Sequence, residues 1–511
     1  MSNALHDLAA LCLRAPERAH ALQQALAGDP TGDELLLALF AHKVAPDSAP
    51  PDSQPAGAAG RLTDMPLRIQ LSDTGNAARF VEQFGHAVRY TVGQGWLVWD
   101  GKRFAPDTNN VKVTSHMTEI GRAWFDQSER VDKSLQAGYV RHAVRTLNSN
   151  GLENALKRAA RIFTVLAHED EFDADPMLLN TQNGVLDLRT GALLPHDPKY
   201  LCTRVTGAAY VPDASAPRWQ RFREEIFGHN TALIDFDRCW DGYCLTGMTH
   251  EQRYVIAWGN GANGKSTKFD AIRHVMGDYA LDIRVMALMA RFNGSDVNTD
   301  LARLPGARLA ICPEWAEGMQ ADESMLKSLT GQDVITVRTL FQKPFSFKPK
   351  AKIVIYGNYM PALRGRDKGT WRRPVLMPFT QSFEGDLLDK KLPDTLADEA
   401  EGILADCVRG CMQWQRDGLV IPAEVQAATE EFRRDSNDVL AFIAAMCVIN
   451  PNAHTSISRL FAAYQAWGGA ARTPKKFGML VREAGYVTQR NCYGYEVLGL
   501  GLDEVNNQPL V

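Results

Sequence analysis

The sequence predicts an α/β protein built around a parallel sheet, on three observations. Short β-branched strands, Tyr254–Trp258, Arg308–Cys312, Lys352–Tyr356 and Pro374–Met377, alternate with helical stretches between Arg253 and Phe379. Each is a nearly continuous apolar run, the mark of a strand covered on both faces, and helical crossovers supply the covers. A glycine-rich segment, GNGANGKST at 259–267, stands directly between the first of these strands and a helical run. The 511 residues are 45% hydrophobic and 23% charged, an ordinary globular usage whose length accommodates several domains of about 100–200 residues.

From the amino end, Leu5, Leu8, Leu11, Leu22, Leu26, Leu35, Leu36 and Leu39 recur at helical spacing, so residues 1–43 read as two or three short helices. Residues 44–60, VAPDSAPPDSQPAGAAG, cannot bury enough apolar surface to fold and read as a linker. Residues 61–215 read as an α+β domain. Its first hundred residues are helical stretches around one aromatic strand, Gly95–Asp100, with Trp96 and Trp99. Residues 177–211 are strand-rich, with turn signals at Asn183-Gly184 and Thr190-Gly191. A helical run from Trp219 to Met248 forms a collar to about residue 250, and collar and sheet together occupy 216–385. Beyond Gly385 the chain reads as helical to about Ile449, with a connector over 386–435. Within a last domain over 436–511, residues 455–504 read as helix, helix and two short strands around Asn491-Cys492-Tyr493-Gly494.

Sixty acidic against fifty-six basic residues leave a formal charge of −4, which argues against coating nucleic acid or an anionic membrane through net charge. A local basic patch can still bind nucleic acid. The longest apolar run, Val439 to Ile449, is too short for the roughly 20 residues that span a bilayer, so no membrane partner is expected. The start, MSNALHDLAALCLRAPE, has no basic stretch ahead of its apolar residues, so no secretory signal is read. Nine cysteines lack any CxxC pair, and Cys407 and Cys411 at helical spacing read as two core thiols of a reduced, cytosolic protein.

The segment Gly259-Asn260-Gly261-Ala262-Asn263-Gly264-Lys265-Ser266-Thr267 matches GxxxxGK[ST] in its strand–loop–helix setting. The spacing has a chemical reason. Glycines let backbone amides wrap a phosphate without Cβ clashes, and the helix behind directs its positive end at the anion. Lys265 is a point charge for the β- and γ-phosphates, and the Ser266 hydroxyl can ligate magnesium. A nucleoside triphosphate with Mg2+ is therefore the expected ligand.

Hydrolysis needs more than a phosphate loop: an acid at a neighbouring strand end, a polar group to hold water, and compensation of transition-state charge. Glu314, after the strand RLAIC, is the candidate to polarise water. Asn358, closing KIVIYGN, could orient that water. Arg372 and Arg373, in TWRRPVLMPF, could reach across a subunit boundary as an arginine finger. Between Glu314 and Asn358, the alternation Val334, Thr336, Arg338, then Phe345, Phe347, fits two strands with a tip near Leu340–Lys343. Arg338, Lys343, Lys348, Lys350 and Lys352 interleave there with Phe341, Phe345 and Phe347. Cations for phosphates and aromatic faces for bases are what a single-strand contact requires. Ordinary solvated lysines on a hairpin would give the same pattern.

GNGANGKST, LAICPEWAEG, LKSLTGQDVITVR with FSFKPK, IYGNYMP and GTWRRPVLMPF follow the order and spacing of superfamily 3 helicases, in the phage/plasmid primase–helicase and poxvirus-type branch of AAA+ ATPases. Upstream, TDMPLRIQLSDTGNAARFVEQFGHAVRYTVGQGWLVWDGKRF and LLNTQNGVLDLRTGALLPHD resemble the domain preceding the motor in that family. The last seventy or so residues resemble its winged-helix end, so the resemblance runs from about residue 61 to 505.

The resemblance implies an AAA+ P-loop motor between an α+β pre-motor domain and a winged helix, working as a ring, usually a hexamer. ATP would sit at subunit interfaces, with single-stranded or forked DNA in the channel and 3′ to 5′ translocation. It places Lys265 and Ser266 on the phosphate loop, Glu314 on the acidic Walker B position with Ser266 near the metal, and Asn358 on the sensor. Arg372 or Arg373 falls on the finger, and Arg338, Phe341 and Lys343 fall on the DNA hairpin.

Two departures stand out. Pro313 occupies the position where many P-loop enzymes carry a second acid. Only residues 1–60 precede the region of resemblance, too few for the primase fold of longer relatives, which leaves a separate primase as one candidate partner. The Asp173-x-Asp175 pair falls in the pre-motor segment rather than in such a fold. Lys475, Lys476, Arg482 and Arg490 of the last domain could face a DNA groove or a neighbouring subunit. The expected role is replication of a phage, prophage or plasmid in a bacterial cytoplasm. The alternative is an origin-binding or assembly scaffold in which ATP only governs oligomerisation.

Overall fold

The computed structural model describes residues 66–503, apart from 291–297, 317–318, 339–343, 364–367, 386–388, 437, 470, 472 and 492–493. The expected helices of 1–43 and the linker 44–60 lie outside the described residues. The chain divides into two units, the first holding residues 66–174 and 196–204, the second 175–195 and everything from 205 onward.

In the first unit, helix α1 (Asp73–Phe84) starts where the Ser72 hydroxyl accepts from the Gly75 amide at 3.3 Å. Strands β1 (Val88–Thr91), β2 (Gly95–Trp99) and β3 (Phe104–Pro106) form an antiparallel sheet in chain order. Helices α2 (Val111–Ser128), α3 (Lys133–Leu147) and α4 (Ser149–Ala159) follow, and Phe80, Trp96, Ile120 and Trp124 fill the core. Only β2 was expected. β1 and β3, four and three residues long, are too short to carry a periodic signal.

The second unit opens with an antiparallel meander, β4 (Leu178–Thr181), β5 (Gly184–Asp187) and β6 (Ala192–Leu194). The strand-rich reading of 177–211 therefore ends at Leu194. Helices α5 (Pro217–Ile226) and α6 (Thr231–Cys244) replace the single run expected to Met248. They separate at Gly228 and His229, both with left-handed backbone, and the Asn230 side chain caps α6.

Next come β7 (Tyr254–Trp258), α7 (Lys265–Met276), β8 (Ala280–Asp282), β9 (Leu309–Pro313), α8 (Glu323–Gly331) and the hairpin β10 (Ile335–Val337) with β11 (Phe345–Phe347). β12 (Lys352–Gly357) and β13 (Pro374–Pro378) complete a five-stranded sheet of order β13-β7-β12-β9-β8, every pair parallel. The α/β expectation holds, with the three-residue β8 added to the four strands anticipated. Alternate residues feed opposite faces: Val255 and Val354 pack with Trp240 and Phe269, while Ile256, Ile353 and Ile355 pack with Leu301 and Trp315.

The meander packs into the core of this sheet. Met177, Leu179, Leu186 and Leu188 share the core of Trp219 and Phe269. The Arg308 guanidinium donates to the Leu178 carbonyl.

Helices α9 (Leu392–Asp398), α10 (Ala400–Asp417), α11 (Ala423–Asp435) and α12 (Asp438–Met446) follow, with Cys407 and Cys411 buried on α10. The helical reading to Ile449 fails at its end. β14 (Cys447–Ser456) starts there and pairs with the last strand, with an irregularity between Ile449 and His454. Pro451 disguised this strand, and its edge position tolerates the proline. Helices α13 (Ile457–Ala466) and α14 (Pro474–Glu483), then β15 (Thr488–Asn491) and β16 (Gly494–Leu502), complete an antiparallel sheet of order β14-β16-β15 over a core of Phe442, Tyr464 and Phe477.

Candidate functional site

All five parallel strands end on the same edge of the sheet, and the loop leaving β7 turns there into α7. The turn needs left-handed backbone at Gly261, Ala262 and Gly264, with φ of 102°, 47° and 80°. At Gly259 space decides instead: a Cβ would stand 2.0 Å from Asn263 Nδ2 and 2.3 Å from the Phe379 carbonyl. Asn263, buried, donates to that carbonyl at 3.1 Å and accepts from Lys265 Nζ at 2.8 Å. Lys265 Nζ also donates to the Gly259 carbonyl at 2.8 Å. Burial pushes the Lys265 ammonium down to about 8, because these two acceptors are neutral oxygens. An anion placed here would raise it again.

The loop lines a cavity of about 590 Å³, within the range of a small-molecule site, together with Glu314, Tyr356 and Asn358. Lys265, Ser266, Glu314 and Asn358, far apart in sequence, therefore meet in one place. Glu314 follows β9 with a left-handed φ of 59°, held by its own N–H donating to the Tyr356 carbonyl of β12 at 2.9 Å. Such backbone costs a non-glycine residue about 1–3 kcal/mol and recurs at functional sites. Buried Trp315 anchors the turn behind it. Asn358 follows β12, and a Cβ on Gly261 would lie 3.9 Å from its amide. Tyr356 stacks on Phe269 at 5.3 Å, and burial raises its phenol. Among the described residues no group of three or more His, Cys, Asp or Glu is clustered for a metal. Ser266 and Glu314 are hard oxygen donors of the kind magnesium takes.

The two arginines lie elsewhere. Arg372 and Arg373 precede β13, on the opposite edge of the sheet from the glycine-rich loop, and neither lines the cavity. Exposed Arg372 donates to Gln252 Oε1 at 2.6 Å. Arg373 is buried, donating to Thr330 Oγ1 at 3.1 Å and to the Gly369 carbonyl.

The β10–β11 hairpin forms as expected, with Arg338 exposed at the end of β10, while Phe341 and Lys343 lie outside the described residues. Three residues of the basic and aromatic pattern expected to meet DNA are committed to the fold. Phe345 and Phe347 pack on the core beneath. Lys352 is buried and donates to the carbonyls of Thr246 and Met248. Asp173 accepts from Thr203, and Asp175 pairs with Arg189 at 2.7 Å, so neither stands as an open metal ligand. On α14, Lys475, Lys476 and Arg482 are exposed, as is Arg490 on β15.

Comparison with known proteins bears on this geometry. Residues 77–228 match the family described as "D5 N terminal like", and residues 257–373, from the end of β7 to Arg373, match a "Family of unknown function (DUF5906)". The chain is 26% identical over 361 residues to "Putative helicase L207/L206" of Acanthamoeba polyphaga mimivirus, covering 65% of this chain and 37% of that protein. It is 23% identical over 365 residues to "Putative primase C962R" of African swine fever virus, covering 66% and 38%. It is similar to D5-like primase–helicases. The chain spans less than half the length of these curated relatives. A solved structure of the "NrS-1 C terminal region" overlaps 57% of this chain and 77% of its own at 11% identity with a TM-score of 0.39, too slight a likeness to bear on the fold. No helix among the described residues is long and apolar enough to cross a membrane.

Sequence reasoning missed one wall of the cavity. Arg218, Phe222 and Glu225, spaced i, i+4, i+7 on α5, line it along with Asp389 and Leu392. Arg218 pairs with Glu225 at 3.1 Å and with Asp389 at 3.7 Å. The helical spacing was visible, but nothing in it named a ligand.

Proposed function

We propose that the chain is the ATP-driven motor of a replicative DNA helicase, a superfamily 3 AAA+ enzyme that works as a homo-oligomeric ring, expected to be a hexamer, moving 3′ to 5′ on single-stranded or forked DNA. The observation that carries this reading is the convergence of Lys265, Ser266, Glu314 and Asn358 on one cavity at the carboxyl edge of a parallel sheet. The viral relatives named as helicases and primases support it. In this reading residues 61–215 are the pre-motor domain, 216–385 the motor with its collar, 386–435 a connector and 436–511 a winged helix. The helix–strand–helix–helix–strand–strand order of α12 to β16 supports the last assignment. Replication of a phage, prophage or plasmid in the bacterial cytoplasm is the proposed setting.

The roles follow from position. Loop residues 259–267 hold the triphosphate, and Lys265 supplies charge to its β- and γ-phosphates. Magnesium, held by Ser266 and Glu314, would neutralise phosphate oxygens. Glu314 draws a proton from the attacking water, and Asn358, beside Gly261, orients that water. Arg372, exposed on the far edge, is the group available to compensate charge at a neighbour's site, whereas Arg373 holds the start of β13. Arg338 and Lys343 of the hairpin contact the DNA backbone and Phe341 a base.

The test is strand displacement on a tailed duplex together with DNA-stimulated ATP hydrolysis. Glu314→Gln should bind ATP and stop both. A Glu314→Gln protein that keeps its full replication role would instead establish the scaffold reading, and a Lys265→Ala protein that unwinds would sink the motor.

A further inference from the structure

A cluster of five charged side chains lies inside the second unit, and neither the loop chemistry nor the DNA contacts use it. Arg223 (α5), Asp237 and Asp241 (α6), Lys268 (α7) and Asp406 (α10) are all almost fully buried. Arg223 Nε stands 3.0 Å from Asp237 Oδ2, its Nη1 2.6 Å from Asp406 Oδ2 and its Nη2 3.6 Å from Asp241 Oδ2. Lys268 Nζ stands 2.9 Å from a carboxylate oxygen of both Asp237 and Asp241. At the rim, Arg238 and Arg409 reach the other oxygen of Asp406 at 3.2 and 3.3 Å.

The placement of these charges is what matters. Lys268 is one helical turn beyond Lys265 on α7, so one helix carries both the phosphate lysine and a cluster lysine. Arg223 is adjacent to Phe222 on α5, the helix whose Arg218, Phe222 and Glu225 line the cavity. Phe222 and Ile226 lie so close to the loop that a Cβ on Gly264 would meet them at 3.1 and 2.6 Å.

Strand order says which part of a nucleotide each wall meets. Asn358 and Glu314 follow β12 and β9 on one side of β7, while the segment carrying Asp389 and Leu392 follows β13 on the other. Triphosphate chemistry over β12 and β9 leaves the sugar and base toward α5, Asp389 and Leu392. Apolar residues of equal volume would hold four helices together as well as buried charges do. Ion pairs at these distances add a fixed register between helices.

We propose that this cluster is the positioning device of the nucleotide site, with Lys268 and Arg223 as positioning residues that set the α5 wall against the phosphate loop of α7. The proposal rests on the nucleotide reading above. It predicts a difference between two ligands. ATP spans both walls, whereas inorganic tripolyphosphate touches the loop alone.

The experiment measures affinity for each, with magnesium, on full-length protein well below its unfolding temperature. Lys268→Met should weaken ATP by about tenfold, the scale of one lost interaction with a charged partner, while tripolyphosphate changes by less than about twofold. Lys268→Arg, which keeps the charge, should restore ATP affinity. Should Lys268→Met not fold, Asp406→Asn, which weakens the hold of α10 on Arg223, Arg238 and Arg409 while leaving Lys268 paired, should show the same asymmetry at a smaller amplitude. Equal losses for the two ligands, or no loss for either, would overturn the proposal. So would a folded Lys268→Arg that fails to recover ATP binding. A wild-type chain that binds neither ligand removes the nucleotide reading itself, and this inference with it.

Discussion

At the carboxyl edge of the parallel sheet Lys265 is buried against two neutral oxygens, beside a cavity that Glu314 and Asn358 share. At the amino edge of the same sheet three other cations are buried, and each is occupied by the fold. Arg308 donates to the carbonyls of Leu245 and Leu178, Lys352 to those of Thr246 and Met248, and Arg373 to Gly369 and Thr330. Arg308 and Lys352 thereby bind carbonyls just past the end of α6, where the helix dipole favours positive charge. The same residue types do opposite work on the two edges. Parallel strands send every loop that can hold a ligand to one edge, and the other edge is left to close the helices.

The comparison can be tested from both sides. Lys265→Ala should reduce ATP turnover by at least about a hundredfold, as loss of a preorganised charge does, while leaving the denaturation midpoint nearly unchanged. A large stability loss in that variant would mean the carboxyl-edge lysine is structural too.

Lys352→Met should do the reverse, costing about 2 kcal/mol in denaturant unfolding through carbonyls left without a donor, with ATP affinity of the folded protein intact. Lys352 adds a pH signature. Burial depresses it from 10.5 to about 7, so between those values the unfolded chain holds a proton that the folded one does not. Its contribution to stability is therefore full above about 10.5 and is lost as pH falls toward 7. Lys352→Met should flatten that stretch of the stability profile.

The arginine pair divides on the same principle. Arg373→Ala should cost about 1–2 kcal/mol of stability through its lost hydrogen bonds. Arg372→Ala should stay within about 0.5 kcal/mol and lower turnover only in assembled protein. Mixing Arg372→Ala with Lys265→Ala subunits should then recover part of the activity, and mixtures that form oligomers yet stay inactive would remove the finger role. The smallest expected effect is at the hairpin. Arg338→Ala should weaken single-strand binding modestly and reduce the salt slope by about 1, whereas an unchanged slope would move the contact elsewhere.

Several features were legible because they are local. Four of the five sheet strands announce themselves as buried apolar runs, and GNGANGKST declares its turn because φ above zero and close approach demand glycine. The hairpin's existence was legible in its alternation. Short or irregular elements were not: β1, β3 and β8 have too few residues for a period to register, and β14 carries a proline that only its edge position excuses. Glu314 could be named from its place after a strand. Its left-handed backbone could not, since that conformation is imposed by the bond to Tyr356 on the neighbouring strand.

The sequence by itself determined an α/β protein with a parallel sheet and a glycine-rich loop between a strand and a helix, because propensity, periodicity and glycine geometry act over a few residues. Only the tertiary structure decided how the charges are used. Arg373 and Lys352 looked available in the sequence and are buried against oxygens of the fold, while Arg218 lines the cavity and Arg223 and Lys268 are buried in a cluster of ion pairs. The physical reason is that a charge's role depends on its solvation and its partners. Those partners lie as far away as the 183 residues between Arg223 and Asp406.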